Sequence, residues 1–219
     1  MKHGRGFTWL ALAMIAGLTL PVTGCRDRTL SDPADLGAVE VREYEGEDLS
    51  SINEFRENSI KGPQQLDREA YRLTITGLVD RPLSLTYREV IDTHQEYRKV
   101  VRLSCVEGWS VDILWQGILL ADLLDRAGAD PGARVVIFRS ADGYSTSLPA
   151  DYIRDNDILL AYRMNDVELP PDRGFPFQLV AEEKWGYKWA KWITEIEVSD
   201  DTSFRGYWES RGYENDADL

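Results

Sequence analysis

The stretch "VVRLSCVEGWS", residues 100–110, places Cys105 between a β-branched apolar run and a Glu-Gly-Trp turn. The run at 99–105 is short and rich in valine, which predicts a β-strand that ends at the cysteine. The chain has one other cysteine, Cys25. A thiol at a strand end is a candidate for core packing, for nucleophilic chemistry, for an intermolecular disulfide or for metal ligation.

The first 24 residues have the features of a secretory signal peptide. Lys2 and Arg5 precede an apolar run at 7–20, and "LPVTGC" follows. That run is shorter than the about 20 apolar residues that span a bilayer. Residues 22–25 resemble the bacterial lipobox, which implies cleavage before Cys25 and a lipid on its sulfur. The alternative is a plain signal peptide followed by a chance cysteine. A lipidated Cys25 forms no disulfide, so Cys105 is left unpaired.

The remaining chain is strongly acidic. Removal of residues 1–24 takes away the positive charges of Lys2 and Arg5, so the formal net charge falls from −13 to −15. Such a surface argues against nucleic-acid binding and against electrostatic adhesion to anionic lipid. His94 is the one histidine in this part, which excludes His/Cys zinc clusters and leaves little scope for a Ser-His-Asp triad. Chemistry must then come from Cys105, carboxylates, cationic or aromatic side chains, or a cofactor.

The order of segments predicts a single α+β domain with a mixed sheet. We expect a signal peptide at 1–24, a lipidated acidic tether at 25–50, the folded domain at 51–200 and an acidic tail at 201–219, loose at its end. Alternating or β-branched runs predict strands, and a capping box and a leucine stripe predict helices. The predicted strands are 71–79, 99–105, 134–140, 157–165, 175–181 and 193–199, and the predicted helices begin at Thr86 and span 119–128. No regular βαβ rhythm is present, which favours α+β.

The segment "KWGYKWAKW", residues 184–192, has two interpretations. Its lysines and its tryptophans each recur at i, i+4 and i+7, as in a Trp-faced amphipathic helix or an interfacial anchor. Gly186 and the strand-like run at 193–199 indicate instead a loop that leads into a strand. Three lysines in so acidic a protein then form a candidate phosphate clamp, which is the interpretation that we favour.

Seven blocks that follow one another resemble the molybdopterin-binding domain of the sulfite oxidase family. The blocks are "RLSCVEGWS", the W-x-G at 115–117, "LLADLL", "FRSADGYSTSLP", "LAYRMN", "LPPDRGFPFQLV" and "KWGYKWAKW". Within the family they look most like small bacterial members related to the periplasmic methionine-sulfoxide-reducing molybdoenzyme. The resemblance, from about residue 53 to residue 198, implies a molybdenum–molybdopterin cofactor, oxygen-atom transfer, and a Cys105 thiolate that ligates molybdenum.

The same resemblance implies further cofactor-binding residues. "INEFRENS", residues 52–59, is similar to the loop that covers the pterin, and Ser140 takes the place of a pterin-contacting threonine. Arg173 and Gln178 take the places of an asparagine and an arginine; a charge is lost near the cofactor phosphate, and Arg173 is a candidate to compensate. The implied set is Asn53, Arg56, Glu57, Cys105, Ser140, Arg173, Gln178, Lys188, Trp189, Ala190 and Lys191.

The residues after the cysteine bear on the substrate. Sulfite oxidases proper usually place arginines there, whereas residues 106–109 read Val-Glu-Gly-Trp. A neutral oxide such as a sulfoxide is therefore expected rather than an anion. Glu107 is expected to support its loop through hydrogen bonds, and Trp109 and Trp115 either wall the pocket or pack in the core. The chain carries no haem motif, so a membrane quinol subunit or a cytochrome is expected to supply electrons.

The signal sequence predicts an exported, membrane-anchored lipoprotein that faces the periplasm or the cell exterior. Its start, "MKHGRGF", has no adjacent arginines, although proteins that are exported folded with such cofactors normally carry them. Export of an unfolded, empty protein would explain this departure and keeps a second hypothesis open, and a third hypothesis stands beside it. One is a cofactor-free, lipid-anchored binding domain on the same fold, and the other is a redox protein that uses the Cys105 thiol alone.

Overall fold

The computed structural model describes Met1 and residues 39–219. The body of the predicted signal peptide, the predicted lipidation site Cys25 and the predicted tether up to residue 38 therefore lie outside the described residues. Within the described part, no helix is long and apolar enough to cross a membrane.

The described residues form two larger β-sheets, a small hairpin and short helices. The strands are β1 Glu43–Tyr44, β2 Glu47–Asp48, β3 Leu73–Gly77, β4 Leu83–Leu85, β5 Tyr97–Ser104, β6 Ser110–Leu119, β7 Val135–Ser140, β8 Ser145–Pro149, β9 Leu159–Met164, β10 Val167–Glu168, β11 Gln178–Val180 and β12 Ile193–Ser199. The helices are α1 Tyr87–Asp92, α2 Leu120–Ala127 and α3 Ala150–Asp155, and short 3-10 turns lie at Pro171–Arg173, Gly186–Lys188 and Glu209–Arg211.

The two larger sheets differ in strand direction. The first has the order β4-β3-β12-β7-β8, and it is mixed because β12 runs parallel to β3 and antiparallel to β7. The second has the order β10-β9-β6-β5, with β11 paired to β9, and all its pairs are antiparallel. The predicted α+β fold with a mixed sheet is therefore confirmed, and the Cys105 turn lies at one end of the β5–β6 hairpin.

Local signals account for the two predicted helices. The Thr86 hydroxyl accepts a hydrogen bond from the Glu89 backbone N–H at 3.1 Å, and the Glu89 carboxylate accepts one from the Thr86 N–H at 2.8 Å, so α1 begins with the predicted capping box. Gly128 is left-handed and ends α2, as a C-cap glycine does. The predicted strands are also present, with ends that differ by up to three residues.

The core contains a strand that the sequence prediction omits. In β6 almost every residue from Val111 to Ile118 is buried, since both faces of the strand are covered. Trp115 lies at its centre, fully buried, and its indole N–H donates to the Val101 carbonyl at 3.2 Å. Of the two expectations for Trp115, core packing is the correct one. Each large apolar side chain buried in this way contributes about 1.5–3 kcal/mol relative to an exposed one.

The acidic segment before residue 51 is not a free tether where the structure describes it. The Glu40 carboxylate is buried, and it accepts hydrogen bonds from the Ser51 hydroxyl at 2.5 Å and from the Ile52 N–H at 2.9 Å. Leu49 is also buried. The tether prediction is therefore wrong for residues 39–50, because a carboxylate satisfied by buried donors holds this segment on the domain.

The acidic C-terminus is not loose either. Glu209 is fully buried against Lys188, and the Ala217 carbonyl accepts a hydrogen bond from the Trp185 N–H at 2.9 Å. The Leu219 N–H donates to the Glu183 carbonyl at 3.1 Å. The expectation of a loose tail within 201–219 is therefore wrong, since Glu209 and the backbone near residue 219 have partners within residues 183–188.

Candidate active site

Cys105 lies in the wall of a cleft of about 470 Å³, a usual size for a cofactor or ligand pocket. Five segments meet there: a loop that follows residue 56, the turns after β5 and β7, the lysine-rich segment, and the C-terminal residues. The lining residues are Glu57, Asn58, Ser59, Ile60, Gly62, Cys105, Val106, Glu107, Asp142, Tyr144, Gly186, Tyr187, Trp189, Lys191, Trp192, Trp208 and Tyr213.

The turn between β5 and β6 fixes the position of Cys105. Its N–H donates to the Trp109 carbonyl at 2.9 Å, and its own carbonyl accepts from the Gly108 N–H at 3.0 Å. Gly108 has a φ of +87°, a conformation that glycine adopts without strain. The cysteine is 7% exposed, and it forms no disulfide within residues 39–219. Burial of this degree fits core packing or ligation, and it does not suit an intermolecular disulfide.

Two N–H donors are directed at the Cys105 sulfur. The Asn58 side-chain amide lies 3.6 Å from Sγ, and the Glu107 backbone N–H is the second donor. Burial nevertheless raises the pKa of the Cys105 thiol, and the nearby Glu107 carboxylate adds to that rise. A thiol that stays protonated is a poor nucleophile, which argues against the hypothesis of a thiol-only redox protein. A coordinated metal ion, by contrast, deprotonates a thiol outright.

Glu107 supports the cysteine turn, as the sequence predicts. Its carboxylate accepts hydrogen bonds from the Trp109 indole N–H at 3.2 Å and from the Asn58 amide at 3.3 Å. Both bonds lower the pKa of Glu107, and the bond from the Trp109 indole has the larger effect. Trp109 packs on Phe55, with ring centroids 5.7 Å apart, and is not part of the cleft lining. Glu107 thus brings a negative charge to the cleft and holds Asn58 against the sulfur.

The lysine-rich segment is a loop rather than a helix. It contains one 3-10 turn, Gly186–Lys188, and leads into β12, as the favoured interpretation predicts. A Cβ atom on Gly186 would lie 3.2 Å from the Ser104 carbonyl oxygen, so glycine allows this loop to approach the cysteine. Trp185 also forms a parallel bridge to Ser104. The cleft is therefore continuous from Cys105 to this loop.

Lys191 is the lysine of this segment that faces the cleft. Its Nζ lies 2.6 Å from Glu57 Oε1 and 4.4 Å from the centroid of the Trp192 ring. Burial lowers the pKa of Lys191, and the bond to Glu57 opposes that shift. Glu57 and Lys191 therefore join the loop after residue 56 to the lysine-rich segment across the cleft.

The other two lysines of the segment are placed differently. Lys184 pairs with Asp218. Lys188 is fully buried, and its Nζ donates to Glu209 at 2.6 Å and to the Ser147 carbonyl at 3.1 Å. Neither side chain is part of the cleft lining. These two ammonium groups hold the C-terminal residues in place, so within the predicted three-lysine clamp Lys191 is the member whose side chain can reach a ligand in the cleft.

A second, smaller cavity of about 60 Å³ shares Lys191 and Trp189 with the cleft. Its lining includes Gln178, the Asp172 carboxylate and three cationic side chains, so that cations outnumber the carboxylate: Arg56, Arg173 and Lys191. Cations and an amide around a small space suit an anionic oxygen group such as a phosphate.

Arg173 fixes the loop that carries Arg56. Its Nε donates to the Ile52 carbonyl and its Nη2 to the Phe55 carbonyl, each at 2.9 Å. The guanidinium also lies 4.2 Å from the centroid of the Phe55 ring. Burial lowers the pKa of Arg173. The buried guanidinium of Arg173 therefore faces the small cavity, and it also holds the loop that carries Arg56.

The predicted cofactor-binding residues fall into three groups. Glu57, Cys105, Trp189 and Lys191 line the cleft, and Arg56, Arg173 and Gln178 line the small cavity. Asn53, Ser140, Lys188 and Ala190 line neither of the two. The Ser140 hydroxyl is buried, and it has no hydrogen-bond partner among residues 39–219. It lies two residues before Asp142, which does line the cleft.

Several residues that line the cleft are absent from the set of cofactor-binding residues predicted from the sequence. Asn58 stands within the quoted "INEFRENS" block, but nothing in its local sequence marks it as a neighbour of a sulfur 47 residues away. Asp142 lies in the turn between β7 and β8, and its carboxylate accepts a hydrogen bond from the Tyr144 N–H at 2.9 Å. Trp208 and Tyr213 come from the predicted tail. Their part in the cleft depends on long-range packing that local patterns do not encode.

The site fits a cofactor that brings most of its own metal ligands. The described part of the chain contains no group of three or more His, Cys, Asp or Glu side chains placed to hold a metal ion. One soft sulfur with two N–H donors, an unpartnered buried hydroxyl and a cationic cavity are present instead. A thiolate suits a redox metal of this kind, and the cations suit a cofactor phosphate. These donors match the cofactor that the sequence resemblance implies.

Comparison with known proteins gives concordant results. The family model of the oxidoreductase molybdopterin binding domain matches residues 60–208. The oxidoreductase YuiH of Bacillus subtilis is 34% identical over 152 residues, which cover 69% of this chain and 76% of that protein. The protein-methionine-sulfoxide reductase catalytic subunit MsrP of Gluconobacter oxydans is 31% identical over 177 residues, which cover 70% of this chain and 57% of that protein. The match thus spans little more than half of MsrP.

A solved structure has the same fold. The sulfane dehydrogenase SoxCD from Paracoccus pantotrophus superposes with a TM-score of 0.61 and 25% sequence identity. The superposition covers 64% of this chain and 41% of that one. The two-sheet architecture described above is therefore shared with a larger redox enzyme.

Proposed function

The chain belongs to the family of oxidoreductase molybdopterin binding domains, and we propose that it reduces neutral sulfoxides by oxygen-atom transfer. Membership confirms the predicted family and the predicted molybdenum–molybdopterin cofactor, and it makes the protein an oxidoreductase. The relative in Gluconobacter oxydans, whose name is protein-methionine-sulfoxide reductase catalytic subunit, supports the choice of a sulfoxide as the substrate class.

The position of Cys105 carries the proposal. Its sulfur is buried, lies in the cleft wall and has two N–H donors directed at it. Cys105 Sγ is then the protein ligand of molybdenum, and Asn58 and the Glu107 N–H orient it and stabilise its negative charge. When bound, the cofactor supplies a two-electron centre that exchanges an oxygen atom with the substrate.

The remaining polar groups are assigned to the organic part of the cofactor. Arg56, Arg173 and Lys191 surround the small cavity and would hold the phosphate. The unpartnered Ser140 hydroxyl, two residues from the cleft-lining Asp142, is a candidate donor to the pterin. Lys188 contributes indirectly, because its ammonium group is bound to Glu209 and so holds the C-terminal residues that line the cleft.

The charge of the cleft favours a neutral substrate. Glu57, Glu107 and Asp142 line it, and Lys191, its one cationic lining side chain within the described residues, is paired with Glu57. A dianion such as sulfite would meet net negative charge, whereas a sulfoxide would not. The reaction is R₂S=O + 2 e⁻ + 2 H⁺ → R₂S + H₂O. A separate electron-transfer protein, either a membrane quinol subunit or a cytochrome, supplies the electrons.

The same proposal includes a location. The signal-like N-terminus and the lipobox-like residues 22–25 support export and attachment of lipid to Cys25, with the domain facing the periplasm or the cell exterior. Mass spectrometry of the mature N-terminus tests this assignment. A diacylated Cys25 supports it, and so does release of the Cys25→Ser variant from membranes. An unmodified Cys25 in membrane-extracted protein would contradict it.

Turnover by the loaded enzyme tests the activity. The holoprotein is assayed with methyl p-tolyl sulfoxide and a reduced viologen dye as electron donor, and sulfide formation is measured. Sulfide formation that is absent in Cys105→Ser supports the proposal. Sulfite oxidation with a dye acceptor, in a preparation that forms no sulfide, would instead place this chain with the sulfite-oxidising enzymes.

A further inference from the structure

The C-terminal segment, residues 204–219, closes one side of the cleft. It contributes Trp208 and Tyr213 to the lining. The family match ends at residue 208, so Tyr213 lies beyond the region that the family model describes. Trp208 is the last residue of that match, and Tyr213 is the part of this wall that lies outside it.

The segment is held firmly enough to position these rings. A Cβ atom on Gly206 would lie 2.3 Å from the Ser145 carbonyl oxygen, so only glycine allows the chain to pass this close to β8. Glu209 is locked in the buried pair with Lys188, and the Tyr187 hydroxyl donates to the Glu214 carbonyl at 2.9 Å. The rings are thus part of a fixed surface.

Tyr213 stands between two other rings of the cleft. Its ring centroid lies 5.1 Å from that of Tyr187, in an edge-to-face arrangement, and 5.2 Å from that of Trp208. Both distances are typical of favourable aromatic pairs. Together the three rings form an aromatic wall. Among the described residues that line the cleft, Lys191 is the one cationic side chain, and it is paired with Glu57.

The side chains at the aromatic wall and beside Cys105 are more exposed to solvent than those deeper in the cleft. Tyr213 is 39% exposed and Val106, next to the cysteine, is 48% exposed, whereas Trp189 and Trp192 are 5% and 0% exposed. A resident cofactor is enclosed by the buried side chains. A substrate arrives from solvent and meets the exposed side chains first, at the mouth beside Cys105.

We propose that Tyr213 and Trp208 determine substrate specificity by packing against an apolar or aromatic group next to the sulfoxide. This inference rests on the proposed function and assigns its selectivity to the C-terminal segment. Sulfoxides with an aryl substituent should bind more tightly than dimethyl sulfoxide, because the rings bury apolar area that the small substrate lacks.

Binding and turnover are measured separately on molybdenum-loaded protein. Calorimetry gives the Kd for methyl p-tolyl sulfoxide and for dimethyl sulfoxide, and a dye-linked assay gives kcat and KM. The variants are Tyr213→Ala, Tyr213→Phe and Trp208→Phe. Leu78→Ala is the matched control, since Leu78 is 38% exposed and lies outside the cleft lining. Far-ultraviolet circular dichroism and molybdenum content establish that each variant is folded and loaded.

Tyr213→Ala should raise the Kd and KM for the aryl sulfoxide about tenfold, as loss of an aromatic contact residue commonly does. Its kcat, and the weak binding of dimethyl sulfoxide, should stay near wild type. Tyr213→Phe, which keeps the ring, and Leu78→Ala should both bind normally. Trp208→Phe, with a smaller ring, should show a partial loss.

An equal loss for both sulfoxides, or no change in Tyr213→Ala, would overturn the inference even if turnover is robust. The proposed function can fail independently. Wild-type protein that binds the aryl sulfoxide, loses that binding in Tyr213→Ala, yet forms no sulfide would support the aromatic wall and contradict sulfoxide reduction. If Tyr213→Ala does not fold, the comparison of Tyr213→Leu with Tyr213→Phe tests the ring, and equal Kd values for these two would overturn the inference.

Discussion

The side-chain amide of Asn58 donates a hydrogen bond to the sulfur of Cys105 across 3.6 Å, and the same nitrogen lies 3.3 Å from the Glu107 carboxylate. The loop after residue 56 and the turn after β5 therefore meet at the proposed metal ligand. A donor at a ligating sulfur stabilises extra negative charge there. The hydrogen bond should consequently favour the reduced state of the metal.

Removal of this donor should lower the reduction potential of the bound molybdenum. In Asn58→Ala the sulfur keeps the Glu107 N–H but loses the amide, and turnover should fall roughly tenfold or more, as is usual for groups that support a metal ligand. A redox titration followed by electron paramagnetic resonance measures the shift. An unchanged potential in a variant with full molybdenum content would exclude a tuning role for Asn58.

Loss of the ligand itself should be more severe. Cys105→Ser replaces a soft sulfur by a hard, rarely ionised oxygen, so oxygen-atom transfer should be abolished. The turn should survive, because its bonds to Trp109 and Gly108 are made by the backbone. Activity and thermal unfolding are measured on the same preparation. Turnover equal to that of wild type would rule out ligation by this sulfur.

Lys191→Ala should weaken retention of the cofactor, because it removes a charged donor worth about 1.5–3 kcal/mol. Pterin that remains bound after dialysis is measured by fluorescence after release and oxidation. Lys99→Ala is a suitable control, since Lys99 is also ion-paired but contacts Glu182 and lines neither cavity. Full pterin retention in Lys191→Ala would argue against the phosphate assignment.

The buried pair of Lys188 and Glu209 should govern stability. Both side chains are fully buried, so Glu209→Gln leaves a buried ammonium without its counter-charge, at a cost of about 3–5 kcal/mol. The double variant Lys188→Met/Glu209→Leu should recover much of that loss, because no charge is left buried. Denaturant unfolding gives the free energies. Additive losses in the double variant would show that the two residues are not coupled.

Local signals predicted the parts of the fold that are built locally. The capping box of Thr86 and Glu89 and the C-cap at Gly128 depend on residues a few positions apart, and the structure has both. Strand β6 escaped prediction because burial of both faces erases the alternation that marks a half-exposed strand. Prediction of a strand there requires knowledge of what covers it.

The family resemblance pointed to residues that lie in the site, and their cofactor-binding roles stay predictions. Cys105, Arg173 and Lys191 lie on the walls of the two cavities, as residues transferred by position should.

The structure of the acidic segments was predicted wrongly, because composition gives the charge of a segment but not the partners of its carboxylates. Glu40 and Glu209 look like solvated charges in the sequence, yet each is buried with donors that lie at least 11 residues away. Pairing over such distances is a property of the fold.

The most direct test of the account is the molybdenum and pterin content of protein purified from its native membrane, compared with Cys105→Ser prepared in the same way. Near-stoichiometric molybdenum with releasable pterin in the wild type, and little molybdenum in the variant, is the predicted result. Wild-type protein from its own host that carries neither molybdenum nor pterin would contradict the account, and it would favour a binding domain that has reused the cleft.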